Sequence, residues 1–249
     1  MRLTSDLAVI GGGDTGFNIS APLDCHMYLI DGGTDAAIVD AGMGGKYGQT
    51  DRILATIKAD GVSHDKVSKL FLTHYHADHA GGSADFRNKL GVEVLASPLC
   101  AKTLEVGDEE TISLPFAKKT GFYPADYVFE PCPATPALVE GATITVGNLQ
   151  VTAFETNGHS AGHISLLVEG GEKTALISGD LVFWGGTIIA QNIHDCSIQE
   201  YAASTIKMSG VQFDAYLPGH FQLSLENGKR HIDRAAEQFN KLMIPRNAL

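Results

Sequence analysis

Short apolar runs separated by glycine-rich turns dominate the first part of the chain. "DLAVI", "CHMYLI" and "AAIVD" are each long enough for one strand and together predict a meander. The spacing then changes. In "QTDRILATIKADG" the apolar residues Ile53, Leu54 and Ile57 fall at helical intervals, and Gly61 supplies a stop. "KVSKLFLTH" predicts the next strand, "SADFRNKLG" a helix and "GVEVLAS" another strand.

Residues 98 to about 138 keep no clear period and hold aromatics and prolines, as in "KKTGFYPADYVFEPCPATP". That is too long for an ordinary connection, so it reads as a lid with some helix of its own. Strand-like runs resume in "ATITVGNLQVTAFET", "HISLLVEGG", "KTALISGD" and "FDAYLPGH". A last helix is expected in "NGKRHIDRAAEQFNKLM", with Ile232, Ala235, Ala236 and Phe239 on one face. "AAIVDAG" and "KTALISGD" both end in Asp beside Gly. This pairing suggests one domain, residues 1–249, built from two similar β-rich halves with helices outside.

Composition narrows the classes. The 249 residues are 44% hydrophobic and 19% charged, an ordinary globular balance. No apolar run approaches the ~20 residues of a membrane span, and "MRLTSDLAVIGGGD" lacks the pattern of a secretory signal. A cytoplasmic protein with no membrane partner is the expectation. The formal net charge of -11 argues against nucleic acid as a partner. Cys25, Cys100, Cys132 and Cys196 form no CxxC pair and read as unpaired thiols.

The chemistry begins at "LTHYHADHAGG", which packs His74, His76, Asp78 and His79 into six positions directly after an apolar run. Three more apolar runs end in the same way. "LQVTAFETNG" leads to His159, "TALISG" to Asp180 and "DAYLPG" to His220. Side chains at strand ends, held by a rigid sheet, are well placed for function. Five imidazoles and two carboxylates exceed the four ligands of one zinc ion but suit two cations. His74, His76 and His159 would serve one, and Asp78, His79 and His220 the other. Asp180 would bridge them.

"THYHADHAGG", "NGHSAGHIS", "SGDLVF" and "LPGH" together resemble the metal-binding motifs of the metallo-β-lactamase-fold metallohydrolase superfamily, including glyoxalase II and lactonase-like hydrolases. The resemblance implies an α/β fold, a four-layer αββα sandwich, with the site at one edge of the paired sheets. It implies the same grouping of ligands. It also implies a structural role for Asp40 in "IVDAG" and a place for His163 outside the metal ligands.

The function expected is a dinuclear hydrolase of a small ester, lactone or thioester. It would use a metal-bridging hydroxide that Asp78 orients as the catalytic residue. Zinc is the first choice of metal, with iron or manganese as alternatives. Other chemistries known on such a scaffold stay open: a mononuclear iron, persulfide dioxygenase-like oxidoreductase and a phosphodiesterase. The lactonases resembled often carry a tyrosine three residues after the bridging Asp, where this chain has Phe183. The B3 β-lactamases resembled lack that bridging Asp altogether. A small-molecule substrate would meet Trp184, His194 and the lid aromatics Phe122, Tyr123 and Tyr127. Oligomeric state is left open.

Overall fold

The computed structural model describes residues 1–248. Ten strands form two five-stranded mixed sheets. The first sheet runs in order β1 (Leu7–Gly11), β2 (Met27–Asp31), β3 (Ala36–Val39), β4 (Val67–Phe71) and β5 (Glu93–Leu95). Its first three strands are antiparallel, and β3, β4 and β5 are parallel. The second contains β6 (Thr143–Val146), β7 (Leu149–Glu155), β8 (Ile164–Glu169), β9 (Ala175–Gly179) and β10 (Ala215–Pro218), side by side in the order β10-β9-β8-β7-β6. Here the antiparallel pairs come first in the chain and β9 and β10 close the sheet in parallel.

Strand periodicity of two sorts the core into layers. Tyr28 and Ile30 of β2 and Ala37 and Val39 of β3 face Val151, Leu166, Ala175 and Ile177 across the space between the sheets. Their neighbours Met27, Leu29 and Ile38 point the other way. There they meet Ile53 and Ile57 of α1 (Thr50–Ala59), which are buried in the same cluster as Phe86 and Leu104. The second sheet repeats the scheme: Leu167, Leu176 and Tyr216 pack with Tyr201, Met208, Ile232 and Phe239. Helix, sheet, sheet, helix is therefore the layer order, the expected αββα sandwich. Among the described residues no helix is long and apolar enough to cross a membrane.

The remaining helices are α2 (Ala77–Ala80), α3 (Ser83–Leu90), α4 (Pro98–Val106), α5 (Leu114–Thr120), α6 (Ile198–Ser209) and α7 (Lys229–Asn240). Two of them, α4 and α5, fall in the irregular stretch after residue 98. Ser97 caps α4, its hydroxyl accepting from the Cys100 N–H, and Gly107 ends it at φ 63°. The face expected for α7 is the one buried.

Helix α6 is an addition to the sequence expectation. Its buried residues Tyr201, Ser204, Thr205 and Met208 keep helical spacing, but two small polar residues in the stripe mute the apolar signal. The Tyr201 hydroxyl donates to the Asp180 carbonyl at 2.6 Å, and the Ser197 N–H donates to Gly158 O at 2.8 Å. The helix thus anchors two of the loops that carry candidate ligands.

Candidate metal centre

Four loops converge at one edge of the sandwich. The turn after β4 brings His74, His76 and, on α2, Asp78 and His79. His159 lies between β7 and β8, Asp180 follows β9, and His220 follows β10. Parallel strands β9 and β10 end side by side, with Pro218 paired to Gly179. That pairing places Asp180 beside His220. Gly179 adopts φ +51°, and a side chain there would press on His163 and Thr73, so the turn into Asp180 favours glycine.

All seven side chains expected as ligands come together. Ligand atoms of His74, His76 and His159 lie within 4.8 Å of one another, as do those of Asp78, His79 and His220. Asp180 sits between the groups. Its Oδ1 is 3.4 Å from His79 Nε2, and its Oδ2 is 3.5 Å from both His159 Nε2 and His220 Nε2.

The outward side of each ring fixes its protonation. His159 Nδ1 is 3.0 Å from the Ile189 carbonyl, His79 Nδ1 is 2.8 Å from Asp40 Oδ2, and His76 Nε2 is 3.1 Å from Asp195 Oδ2. These partners only accept, so in the neutral rings those nitrogens carry the protons. The lone pairs then face inwards, at His159 Nε2, His79 Nε2 and His76 Nδ1. His76 Nδ1 and His159 Nε2 are 3.1 Å apart, and His79 Nε2 and His220 Nε2 are 3.3 Å apart. Across the His76–His159 pair the two lone pairs face each other and repel unless a proton or cation lies between them, whereas the Thr15 hydroxyl at His220 Nδ1 can donate or accept and so leaves the His220 tautomer open. With zinc–nitrogen bonds of about 2.0–2.1 Å, tetrahedral ligand nitrogens stand about 3.3 Å apart. His74 Nε2 and Asp180 Oδ1 are buried with no hydrogen-bond partner, a costly state that a cation would relieve. The donor set therefore fits divalent metal.

Electrostatics differ between the two groups. Burial would lower His79 and His220, but the neighbouring acidic groups outweigh it and hold His79 well above and His220 above the ordinary histidine value, so a cation there must displace a proton. Burial, reinforced by the neighbouring histidines, holds the pKa of His74 well below the ordinary value, and burial pushes His159 down to about 4. Both rings are neutral at pH 7, the form that binds a cation. Burial alone would raise the Asp180 carboxyl. His220, His79 and His159 outweigh it and hold Asp180 well below the usual carboxylate range.

A supporting ring of side chains completes the site. Asp40 takes the N–H and hydroxyl of Thr73 as well as the His79 ring. It sits at φ 62°, an uncommon conformation for a residue with a side chain. His163 is a strut: its Nε2 accepts the Asp180 N–H at 3.0 Å while Nδ1 meets the Thr156 hydroxyl. The Thr15 hydroxyl lies 2.9 Å from His220 Nδ1. Sequence reasoning missed Thr15 and Asp195. Asp195 also accepts from Tyr75 and Ser113, yet no motif or period marks it. Its one signal is position, next to His194.

A cleft of about 370 Å³ opens over the ligands, and Phe122 and Tyr123 are among its walls. Tyr123 does more than wall the cleft: its hydroxyl donates to Asp78 Oδ1 at 2.6 Å. Three of the expected substrate contacts lie elsewhere. Tyr127 is turned inwards, where its hydroxyl binds the Met43 carbonyl. The His194 ring is turned to Ser113. Trp184 packs against His231, the two rings tilted by 39°, with Arg230 over its face, because the turn after Asp180 folds back on α7. None of the three lines the cleft.

Comparison with known proteins adds the family. Residues 21–220 match the model of the metallo-beta-lactamase superfamily. An atrochrysone carboxyl ACP thioesterase of Aspergillus fumigatus is 24% identical over 86% of this chain and 55% of its own length. An acyl-coenzyme A thioesterase of Gallus gallus is 26% identical over 80% of this chain and 73% of its own. A hydroxyacylglutathione hydrolase of Anaeromyxobacter dehalogenans is 29% identical over 66% and 48%. The chain spans about half the length of several such relatives. Among solved structures, a subclass B3 metallo-beta-lactamase of Bradyrhizobium japonicum aligns with a TM-score of 0.71 at 20% identity, covering 97% of this chain and 92% of that one. The fold, the four converging loops and a match over residues 21–220 place this chain in the metallo-beta-lactamase superfamily.

Proposed function

We propose that the protein hydrolyses a small ester, lactone or thioester with two divalent cations. His74, His76 and His159 would hold one, Asp78, His79 and His220 the other, and Asp180 would touch both. The observation that carries this reading is the pair of opposed ring nitrogens, 3.1 Å and 3.3 Å apart, one pair in each group. Zinc suits the nitrogen-rich donor set best, and iron or manganese are also accommodated.

Bound there, divalent cations supply Lewis acidity towards a carbonyl and lower the pKa of water from 15.7 towards ~7. The chain's own residues do the rest. Asp78 turns Oδ2 towards His220, 3.2 Å away, and presents Oδ1 to Tyr123. The carboxylate is thereby fixed to orient an attacking water and to pass its proton to the leaving group. The carboxylate of Asp180 lies under the cleft and balances the positive charge there. Relatives named thioesterases and hydroxyacylglutathione hydrolases support acyl transfer to water as the reaction.

The test is a panel of lactones, thioesters and phosphodiesters on metal-quantified protein, with oxygen consumption followed in parallel. Acyl-bond hydrolysis that chelation abolishes and added metal restores is expected. Turnover of phosphodiesters alone, or oxygen uptake with a thiol persulfide, would overturn the reading.

A further inference from the structure

The cleft has two unlike ends. At its floor are the His and Asp side chains already described. Above them the wall comes from three segments outside the sheets, at residues 14–23, 112–123 and 189–193. Ile112, Phe116, Phe122, Leu23 and Ile193 make this part apolar. Phe116 and Phe122 are 54% and 55% exposed, large rings left facing solvent at the rim.

Charge is one-sided. Among the described residues lining the cleft there is no lysine or arginine, while Asp14 adds a carboxylate near the mouth. Asp14 forms no ion pair among the described residues. Lys118, on the lining helix α5, is engaged with Glu109 at 2.6 Å. An anionic group entering the apolar part would lose water, gain no cation and meet Asp14. Desolvating an unpaired charge is costly, whereas each buried methylene is favourable.

We propose that the cleft accepts the acyl part of the substrate, and that this acyl group is uncharged and apolar, of medium length. The proposal rests on the hydrolase reading above. A volume of about 370 Å³ holds roughly twelve water-sized units at ~30 Å³ each. That is room for a medium-length hydrocarbon tail. The apolar lining without lysine or arginine suits the tail and not a charged alcohol or thiol carrier, so the carrier is placed at the mouth and the hydrocarbon of the acyl group against Phe116 and Phe122.

Two measurements on metal-loaded protein test this. The first is hydrolysis of matched phenyl thioesters: acetyl, butyryl, hexanoyl and octanoyl, and the ω-carboxylate analogue of the last. kcat/KM should rise by up to roughly fourfold per methylene, the ratio for one fully buried CH2, and fall at least tenfold for the ω-carboxylate. In the Phe116→Ala/Phe122→Ala double variant the chain-length preference should flatten while metal content stays the same. Both rings are half exposed, so the fold tolerates their loss. The second is calorimetry with 2-decanone, an uncharged ketone that cannot be hydrolysed. It should bind wild type and bind the double variant at least tenfold more weakly. A flat chain-length profile, a preference for the ω-carboxylate, or equal ketone binding by both proteins would overturn the proposal. If neither these thioesters nor the lactones of the first panel are turned over, the hydrolase reading fails, and the ketone still decides whether the cleft is an apolar acyl site.

Discussion

The ring of His26 is almost wholly buried beside the site, with Nδ1 at the Pro218 carbonyl and Nε2 without a partner. Burial, helped by His220, pushes its pKa down to about 4. In the unfolded chain an ordinary histidine takes its proton near pH 6.5. Between these values the unfolded state binds more protons than the folded one, so stability must fall as pH drops from about 6.5 towards 4. The loss expected from this one ring by pH 4.5 is on the order of 2–3 kcal/mol. Urea unfolding of metal-free protein at pH 7 and pH 4.5 checks it: His26→Gln should flatten that slope by this amount, and an unchanged slope would remove His26 as its source. At this scale the sequence was most informative where residue type and spacing coincide. His74, His76, Asp78, His79, His159, Asp180 and His220 stand out because metal-binding types follow apolar runs. Asp195, Thr15 and the role of the Tyr123 hydroxyl were hidden, since each depends on a contact between distant loops.

Elements carry the next level of meaning. Most strands were legible as short apolar runs between turns, and α1 and α7 because each carries an apolar face at helical spacing. Helix α6 was not, since Ser204 and Thr205 fill core positions that apolar periodicity leaves unmarked. The stretch after residue 98 shows the same limit: its aromatics are visible in the sequence, but which of them turn inwards is not. Tyr127 packs inwards while Tyr123, four residues before it, reaches the metal loop on α2. The tie from Tyr123 to Asp78 couples this segment to the centre. Supporting hydrogen bonds of this kind typically alter metal affinity by 10–100-fold. Tyr123→Phe keeps the buried ring and loses only the hydroxyl, so the protein should stay folded. On the proposed two-metal reading, one metal should then bind about tenfold more weakly in competition with a chromogenic chelator. Two unchanged affinities would mean that the hydroxyl does not support Asp78.

The two sheets pack face to face, and the loops that carry the seven His and Asp side chains converge at one edge of the sandwich. Each sheet joins antiparallel strands to parallel ones, and the ligand loops follow the parallel strands β4, β9 and β10 and the antiparallel strand β7. The apolar runs suggest two β-rich halves with helices outside, and the family resemblance implies the αββα layers. The cleft shape is not legible in this way, because it is set by three segments that contribute no strand. The parallel pairing of β9 and β10 explains why Asp180 is central: it projects from their junction towards both ligand groups. The most direct measurement is the metal content of wild-type protein, purified without chelator and read by elemental analysis beside Asp180→Ala. The account predicts about two divalent ions per chain in the wild type and weakened binding of both in the variant. One ion per chain in fully active wild-type protein would contradict it.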